Sequence, residues 1–528
     1  MKNIIKNITI TGLLVISLGS CTDEFLDTVK LGAVAEESFY TTDNDLIQAS
    51  VAMYAPMWEY HYNWARSNFG DLSTDDAVDR EMLQFQGYYF DSGNFLFTYN
   101  WRYNYRGILI ANKLIDNVEG VDKPLVEDKE LQKRVVAEAK FLRSYYYYDL
   151  LKNYGDVPLT TKPLVGEEMN MKRTPAKEVY AQIERDLAIA IVDLPKKSEL
   201  GSSNMGRVTK GAALALLVKI TATQASPGYS GQDFYDAGKY ADTKKYAELL
   251  FDLGEYSLYQ GDYNDIFTEA GENGEGSIFE IQYYTTNKPK AEAVNNNGNF
   301  NTFLFMPWYG AGDPYGKYMV TYDLFTAFED GDPRREASLY NVYEHAFAWD
   351  GSSDGLQVRA VHGSFVNRKN WLNKDQYSVT VRNSPVNERV LRLSDMYLLY
   401  AEACLSEGGD ALGYVNRVRS RARGAGTVPA DLISVSLDDI INERRVELCC
   451  EANRRHDLVR FGILEKELKT DGYIATAETT PDGSGGYTYT PGPVYNAVDL
   501  DESIHIVFPI PLSEVDDTDG LIEQNEGY

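Results

Sequence analysis

Ala137-Glu138-Ala139-Lys140-Phe141-Leu142-Arg143-Ser144-Tyr145-Tyr146-Tyr147-Tyr148-Asp149-Leu150 decides the fold, and the rest of the chain can be read outward from it. The stretch lies within a predicted helix over 127–152. Ala137 and Phe141 stand four residues apart, on one face, as a small residue and the large one that packs beside it. Four consecutive tyrosines, Tyr145 to Tyr148, advance by about 100° each and so point around nearly a full turn. They cannot form one flat platform; their rings are expected to pack, with the hydroxyls reaching polar partners.

Outward from this segment, helices are predicted near 43–60, 98–118, 174–194, 206–225, 236–252, 391–407, 410–422 and 436–461. Thr174-Pro175 offers a capping hydroxyl before a first-turn proline, and Ser436 precedes Asp438 and Asp439, which favour the positive helix end. Gly155, Gly254 and Gly462 suit the corresponding stops. Neighbouring helices pair at lengths similar to tetratricopeptide units, roughly 34 residues each. Ala241, Ala247 and Gly254-Glu255-Tyr256 form one worn unit, and Leu399 to Ala403 with Gly408 another. Small residues at such points let helices approach, and stacked pairs bury one another's apolar faces. Between 260 and 390 the pattern breaks into Gly-, Asn- and Tyr-rich stretches with short β-like runs such as Ser277 to Tyr284. Loops of that length in a compact protein usually have a task. The expected fold is mainly α: tetratricopeptide-like helix pairs form a scaffold, packed against a loop-rich half with short β segments.

The N-terminus addresses the chain. Lys2 and Lys6 precede an apolar run from Ile8 to Leu18 that is too short to span a bilayer, the pattern of a signal peptide. Leu18-Gly19-Ser20-Cys21 resembles a bacterial lipobox, which predicts lipidation of Cys21 and cleavage before it. The longest later apolar stretch is Ala212 to Val218, which by length belongs to a core helix. Removing residues 1–20 takes away two lysines and no acid, so the formal net charge moves from −28 to −30. That balance argues against nucleic acid as a partner. Cys404, Cys449 and Cys450 remain, and no disulfide framework is legible; Cys404 and one of the adjacent pair are expected in helical cores.

Five blocks then carry a resemblance. They are the tyrosine helix with Tyr154-Gly155-Asp156-Val157-Pro158-Leu159; Arg207-Val208-Thr209-Lys210-Gly211-Ala212-Ala213; the run Leu391 to Ala403; Ile441 to Gly462; and Phe508-Pro509-Ile510-Pro511 with the terminal Gln524-Asn525-Glu526-Gly527-Tyr528. In this order, behind a lipobox, they resemble the SusD/RagB family across nearly the whole mature chain. The resemblance implies a lipoprotein on the outer face of the outer membrane. Such a protein caps a SusC-like TonB-dependent transporter, captures an oligosaccharide or a peptide, and passes it on without a cofactor. It also implies this organisation: residues 1–20 signal peptide, 21–35 lipidated tether, 36–230 an N-terminal SusD-like region and 231–528 a C-terminal RagB/SusD-like region, in one compact body.

Sugar recognition needs flat apolar faces for ring hydrogens and a rim of amides, carboxylates or guanidinium groups for hydroxyls. Two regions offer both. One is the acidic loop Asp71 to Arg80, with Asp75 and Asp76, followed by Trp101 and Asn104 on a helix; the other is Tyr283, Tyr284, Asn295 to Asn299, Trp308 and Tyr309. Trp101 also shares a helix face with Tyr105, Ile108 and Asn112, as a core residue would. Asp71-x-Ser73-x-Asp75 begins like a calcium loop but lacks the glycine and the terminal glutamate, so no metal is expected. Glu443, Arg444, Arg445, Glu447, Glu451 and Arg455 read as an ion-pair network within and around the last long helix. No His-Glu-x-x-His, Gly-x-Ser-x-Gly or phosphate loop is present, and His61, His345, His362, His456 and His505 show no metal spacing. Catalytic residues are therefore not assigned. Two carboxylates brought together by folding suffice for glycoside hydrolysis, so a surface hydrolase stands as one alternative and a peptide-binding member as another.

Overall fold

The computed structural model describes residues 39–79, 82–283, 299, 318–341, 365–369, 384–484 and 487–528. The expected signal peptide, Cys21 and the tether lie outside the described residues. The longer helices are α1 (Asp43–Ala52), α2 (Tyr60–Ser67), α3 (Phe95–Val118), α4 (Lys129–Tyr154), α5 (Ala176–Asp193), α6 (Lys210–Ala225), α7 (Lys239–Asp252), α8 (Leu393–Glu407), α9 (Ala411–Arg423), α10 (Leu437–Glu447) and α11 (Arg454–Phe461). From α3 to α9 each packs on the next, while α10 lies against α8, α1 against α4 and α2 against α3. This serial stacking is the expected tetratricopeptide-like scaffold.

Helix α4 sits at its centre. Tyr145 to Tyr148 are all buried. Their hydroxyls are spent locally: Tyr146 donates to the Met53 carbonyl at 2.7 Å, Tyr147 donates to Thr160 at 2.9 Å, and Tyr148 meets the Thr223 hydroxyl at 2.9 Å. Burying a phenol leaves an unsatisfied polar group unless it is so paired. Helix α3 approaches closely because Gly107 has no side chain; a Cβ there would lie 2.2 Å from the Tyr146 ring.

Several boundaries differ from expectation for identifiable reasons. The helix over 43–60 ends at Ala52, because Pro56 cannot continue it, and the chain makes a 3-10 turn at Ala55–Trp58 before α2. The cap of α5 is not Thr174, whose backbone instead bridges Val157; Asp156 accepts the Ala176 N–H at 2.8 Å. Ser436 does cap α10, in a reciprocal box with Asp439. The single helix over 436–461 is two, broken at 448–453, where Cys450 and Ala452 adopt positive φ of 61° and 57°. Tertiary contact explains the break. Gly70 lies so near that a Cβ would meet the Ala452 backbone at 2.4 Å, and the Ala452 N–H donates to Asp71 at 3.1 Å. The β elements are short: Ser277–Ile281 pairs antiparallel with Glu388–Arg392, and Ala77–Val78, Met319–Val320, Phe365–Asn367 and Leu339–Asn341 form a four-stranded sheet. No described helix is long and apolar enough to cross a membrane.

The ion-pair network exists, but its charges reach neighbouring elements rather than along one helix. Glu447 pairs with Arg334, Arg392 and Arg421, and Arg444 holds Asp395 and Asp457 at 2.7 and 2.9 Å. Arg445 and Arg454 reach back to Asp75 and Asp76. That pairing corrects the expectation of a ligand-facing acidic loop: Asp75 and Asp76 are 2% and 1% exposed. Burial alone would raise these carboxyls; Arg445 and Arg454 outweigh it at Asp75 and hold it well below the usual range. Burial raises Asp395 too, but Lys219 and Arg444 bring it to about 2. Asp71 has no such partner in hand. Burial, aided by repulsion from Asp76, pushes it up to about 8.

Arg444→Met should cost about 3–5 kcal/mol in chemical denaturation, because it leaves Asp395 and Asp457 buried with less compensating charge; an unchanged midpoint would remove the network from the account of stability. The raised pKa of Asp71 makes its contribution to stability complete below the unfolded value near pH 4 and progressively lost as pH rises through about 8. Asp71→Asn keeps an acceptor for Ala452 and drops the charge. It should therefore stabilise the protein by about 1–3 kcal/mol at pH 8.5 and by almost nothing at pH 4, and equal gains at both pH values would contradict this assignment.

Candidate functional site

The residues singled out from sequence divide into three groups. Asp75 and Asp76 are locked by arginines. Trp101 and Asn104 face inward: Trp101 is 3% exposed and packs on Tyr105 and edge-on to Tyr154. The Asn104 amide donates to Asp149 at 2.9 Å beside Asn100, which donates to the same oxygen at 3.0 Å. Tyr283 is also buried, with its hydroxyl toward the Met57 carbonyl at 3.5 Å. These burials correct the expectation that the five side chains meet ligand directly. Tyr284, Trp308 and Tyr309 lie outside the described residues. The residues that bracket them are both fixed to the α2 region, Tyr283 at Met57 and Tyr318 through its hydroxyl to the Ser67 carbonyl at 3.2 Å.

A different aromatic surface emerges on α2 and α3. From Trp101 back to Tyr99 the helix turns by about 200°, so the face opposite the indole carries Phe95, Tyr99 and Tyr103 at four-residue spacing. Helix α2 contributes Tyr60, His61 and Trp64 beside them. Its inward residues Tyr62 and Ala65 join the core, and Tyr62 donates toward Asp149 at 3.4 Å, which fixes the helix against α3.

The rings form a connected strip. His61 stacks on Tyr99 with centroids 4.0 Å apart and planes 10° off parallel, and Tyr99 continues to Tyr103 at 5.9 Å and 14°. Trp64 meets Phe95 at 5.2 Å and Tyr60 at 6.0 Å. Phe95 is 37% exposed, while Tyr60, His61, Trp64, Tyr99 and Tyr103 are half-buried. Polar groups border the strip: Arg102 lies over Tyr99 at 5.7 Å, and Arg106 pairs with Glu59 at 3.1 Å. Burial lowers the His61 pKa, favouring the neutral imidazole, which can both donate and accept. Burial, together with Glu59, raises the Tyr103 phenol and keeps it a hydroxyl. The strip therefore combines apolar ring surface with hydroxyl, guanidinium, imidazole and carboxylate groups, the chemistry that neutral polyhydroxylated ligands require. The helical spacing Phe95, Tyr99, Tyr103 is present in the sequence, whereas Trp101 lies on the opposite, buried side of the same helix.

Among the described residues no group of His, Cys, Asp and Glu side chains is arranged to hold a metal ion.

Known proteins share this architecture. Residues 218–528 match the SusD family, and residues 24–222 match a family described as starch-binding, associating with outer membrane. A SusD-like protein of Bacteroides ovatus is 26% identical over 494 residues, which cover 87% of this chain and 83% of that one. A solved laminarin-binding SusD-like protein superposes with a TM-score of 0.73 at 24% identity, covering 93% of this chain and all of its own. Surface glycan-binding protein A from Bacteroides thetaiotaomicron, solved in complex with laminarihexaose, gives 0.71 at 25% identity over 92% of this chain and all of its own. The family match takes in well over half the residues, and the stacked helices with their tyrosine-bearing centre agree with it: this chain belongs to the SusD family.

Proposed function

We propose that the protein is a cell-surface glycan-binding lipoprotein that holds an oligosaccharide on the α2–α3 aromatic strip and hands it to a SusC-like TonB-dependent transporter. The observation that carries this reading is the strip itself, six aromatic side chains gathered at a surface and bordered by Arg102, Arg106 and Glu59. Family membership and the glycan-binding names of similar proteins support it. Tyr284, Trp308 and Tyr309 belong to the proposal as further ring contacts, since the described chain leaves and re-enters beside α2. The role read from the strip is binding without cleavage, in keeping with the glycan-binding names of similar proteins. The lipobox at Leu18 to Cys21 supports an acyl anchor on Cys21, residues 22–35 acting as the tether.

Calorimetry with laminarihexaose and with starch oligosaccharides tests the reading. Tyr99→Ala or Trp64→Ala should weaken binding by about 1–2 kcal/mol, roughly tenfold or more, with folding intact and no shorter sugars released; Trp308→Ala should act in the same direction. Release of cleaved products would instead favour the surface hydrolase, and affinity for peptides alone the peptide-binding alternative. For the anchor, Cys21→Ala should abolish incorporation of labelled palmitate and move the protein out of the membrane fraction. Retention of the label would place the lipid elsewhere.

A further inference from the structure

A cavity of about 310 Å³ opens between the Ser277–Ile281 and Glu388–Arg392 strand pair, α9, and the 3-10 turns at Tyr263–Phe267 and Glu269–Gly271. It shares no residue with the aromatic strip. Its size sits at the low end of ligand sites, roughly 300–1,000 Å³, which suits a molecule of single-ring size. Leu258, Ile266 and Ala270 give it an apolar side, and Gly271, Gly274 and Gly276 give it a wall of bare backbone.

Its polar side is unusual. Arg389 and Arg421 are each 6% exposed, and the Nε of each has no hydrogen-bond partner among the described residues. Both Nη groups of Arg389 donate, to the carbonyls of Asn387 and Thr268, and Arg421 Nη2 donates to Glu447. Arg389 Nε stands 3.6 Å from the Glu280 carboxylate, an ion pair too long to be a hydrogen bond. Buried donors without acceptors are costly, commonly 1–3 kcal/mol each, so two of them around one cavity mark where an acceptor is expected.

Charge selects the kind of acceptor. Three arginines, Arg389, Arg392 and Arg421, face three carboxylates, Asp265, Glu275 and Glu280, in the lining. Glu447 and Glu451 stand behind and already satisfy Arg392. No net positive field remains to hold an anion. The Ser394 hydroxyl accepts from Arg392 and keeps its own proton to give. A ligand here must accept from two Nε–H groups, donate to carboxylates, and present an apolar face to Leu258 and Ile266. We propose that this cavity is a second binding site, for a neutral monosaccharide-sized polyol, independent of the aromatic strip.

Saturation-transfer NMR on the full mature chain, with glucose, galactose, mannose and xylose as separate probes and acetate as the anionic control, tests this. Ala270 is exposed at the cavity edge, so Ala270→Trp should fill the opening without disturbing the fold and abolish the signal of whichever sugar binds. Arg389→Lys keeps the charge beside Glu280 but removes Nε–H, and should weaken the same sugar about tenfold, one hydrogen bond's worth. Tyr99→Ala should leave that signal unchanged while weakening oligosaccharides, which separates this site from the strip. Four silent sugars, a signal that survives Ala270→Trp in the folded variant, a signal unaffected by Arg389→Lys, or binding of acetate alone would each overturn the proposal while leaving the strip's role standing on its own test.

Discussion

The structure depends on a carboxylate placed where it has no access to water. Glu447 is fully buried, and burial by itself would drive it neutral; Arg421, Arg392 and Arg334 together hold it well below the ordinary carboxylate range. Those arginines come from α9, from a strand end and from the short helix Pro333–Ser338, so a single side chain fixes three elements that no continuous helix connects. The backbone carbonyl of the same residue accepts from Lys369, Arg392 and the Tyr263 hydroxyl. This carbonyl is available because α10 ends there. Geometry of this kind adds specificity more than net energy, since desolvating so many charges offsets much of their attraction.

The network also ties the described strands to the helical scaffold. On the scaffold side the hydroxyls of Tyr146, Tyr147 and Tyr148 tie α4 to the end of α1, to Thr160 and to Thr223 of α6. On the other side, Lys369 and Arg392 tie strands to the end of α10 through Glu451. The aromatic strip and the cavity are built on separate, well-anchored elements, and binding at either has little backbone to order first.

Helices were legible where local rules decide them. Ser436 caps the helix that follows, and the tyrosine run packs as its angular spread requires. Legibility failed where distant parts of the chain decide. Nothing near Cys450 or Ala452 announces a break; it is imposed by Gly70 and Asp71, which lie hundreds of residues earlier. The acidic loop looked solvent-facing because its partners, Arg445 and Arg454, are remote in sequence. The site was legible in chemistry but not in position: an aromatic helix with polar neighbours was recognised, while Tyr99 rather than Trp101 lies on the open side. That difference is set by Asn100 and Asn104, whose amides must reach Asp149 and so rotate the indole inward.

The ion pair between Asp75 and Arg454 closes a loop of 379 positions. Such closure is entropically late, because the chain between must already be compact before the two ends meet. Until α11 has been delivered, the early acidic segment has carboxylates with no counter-charge and a strong preference for water. The early acidic segment therefore stays hydrated until α11, the last of the long helices, packs against it.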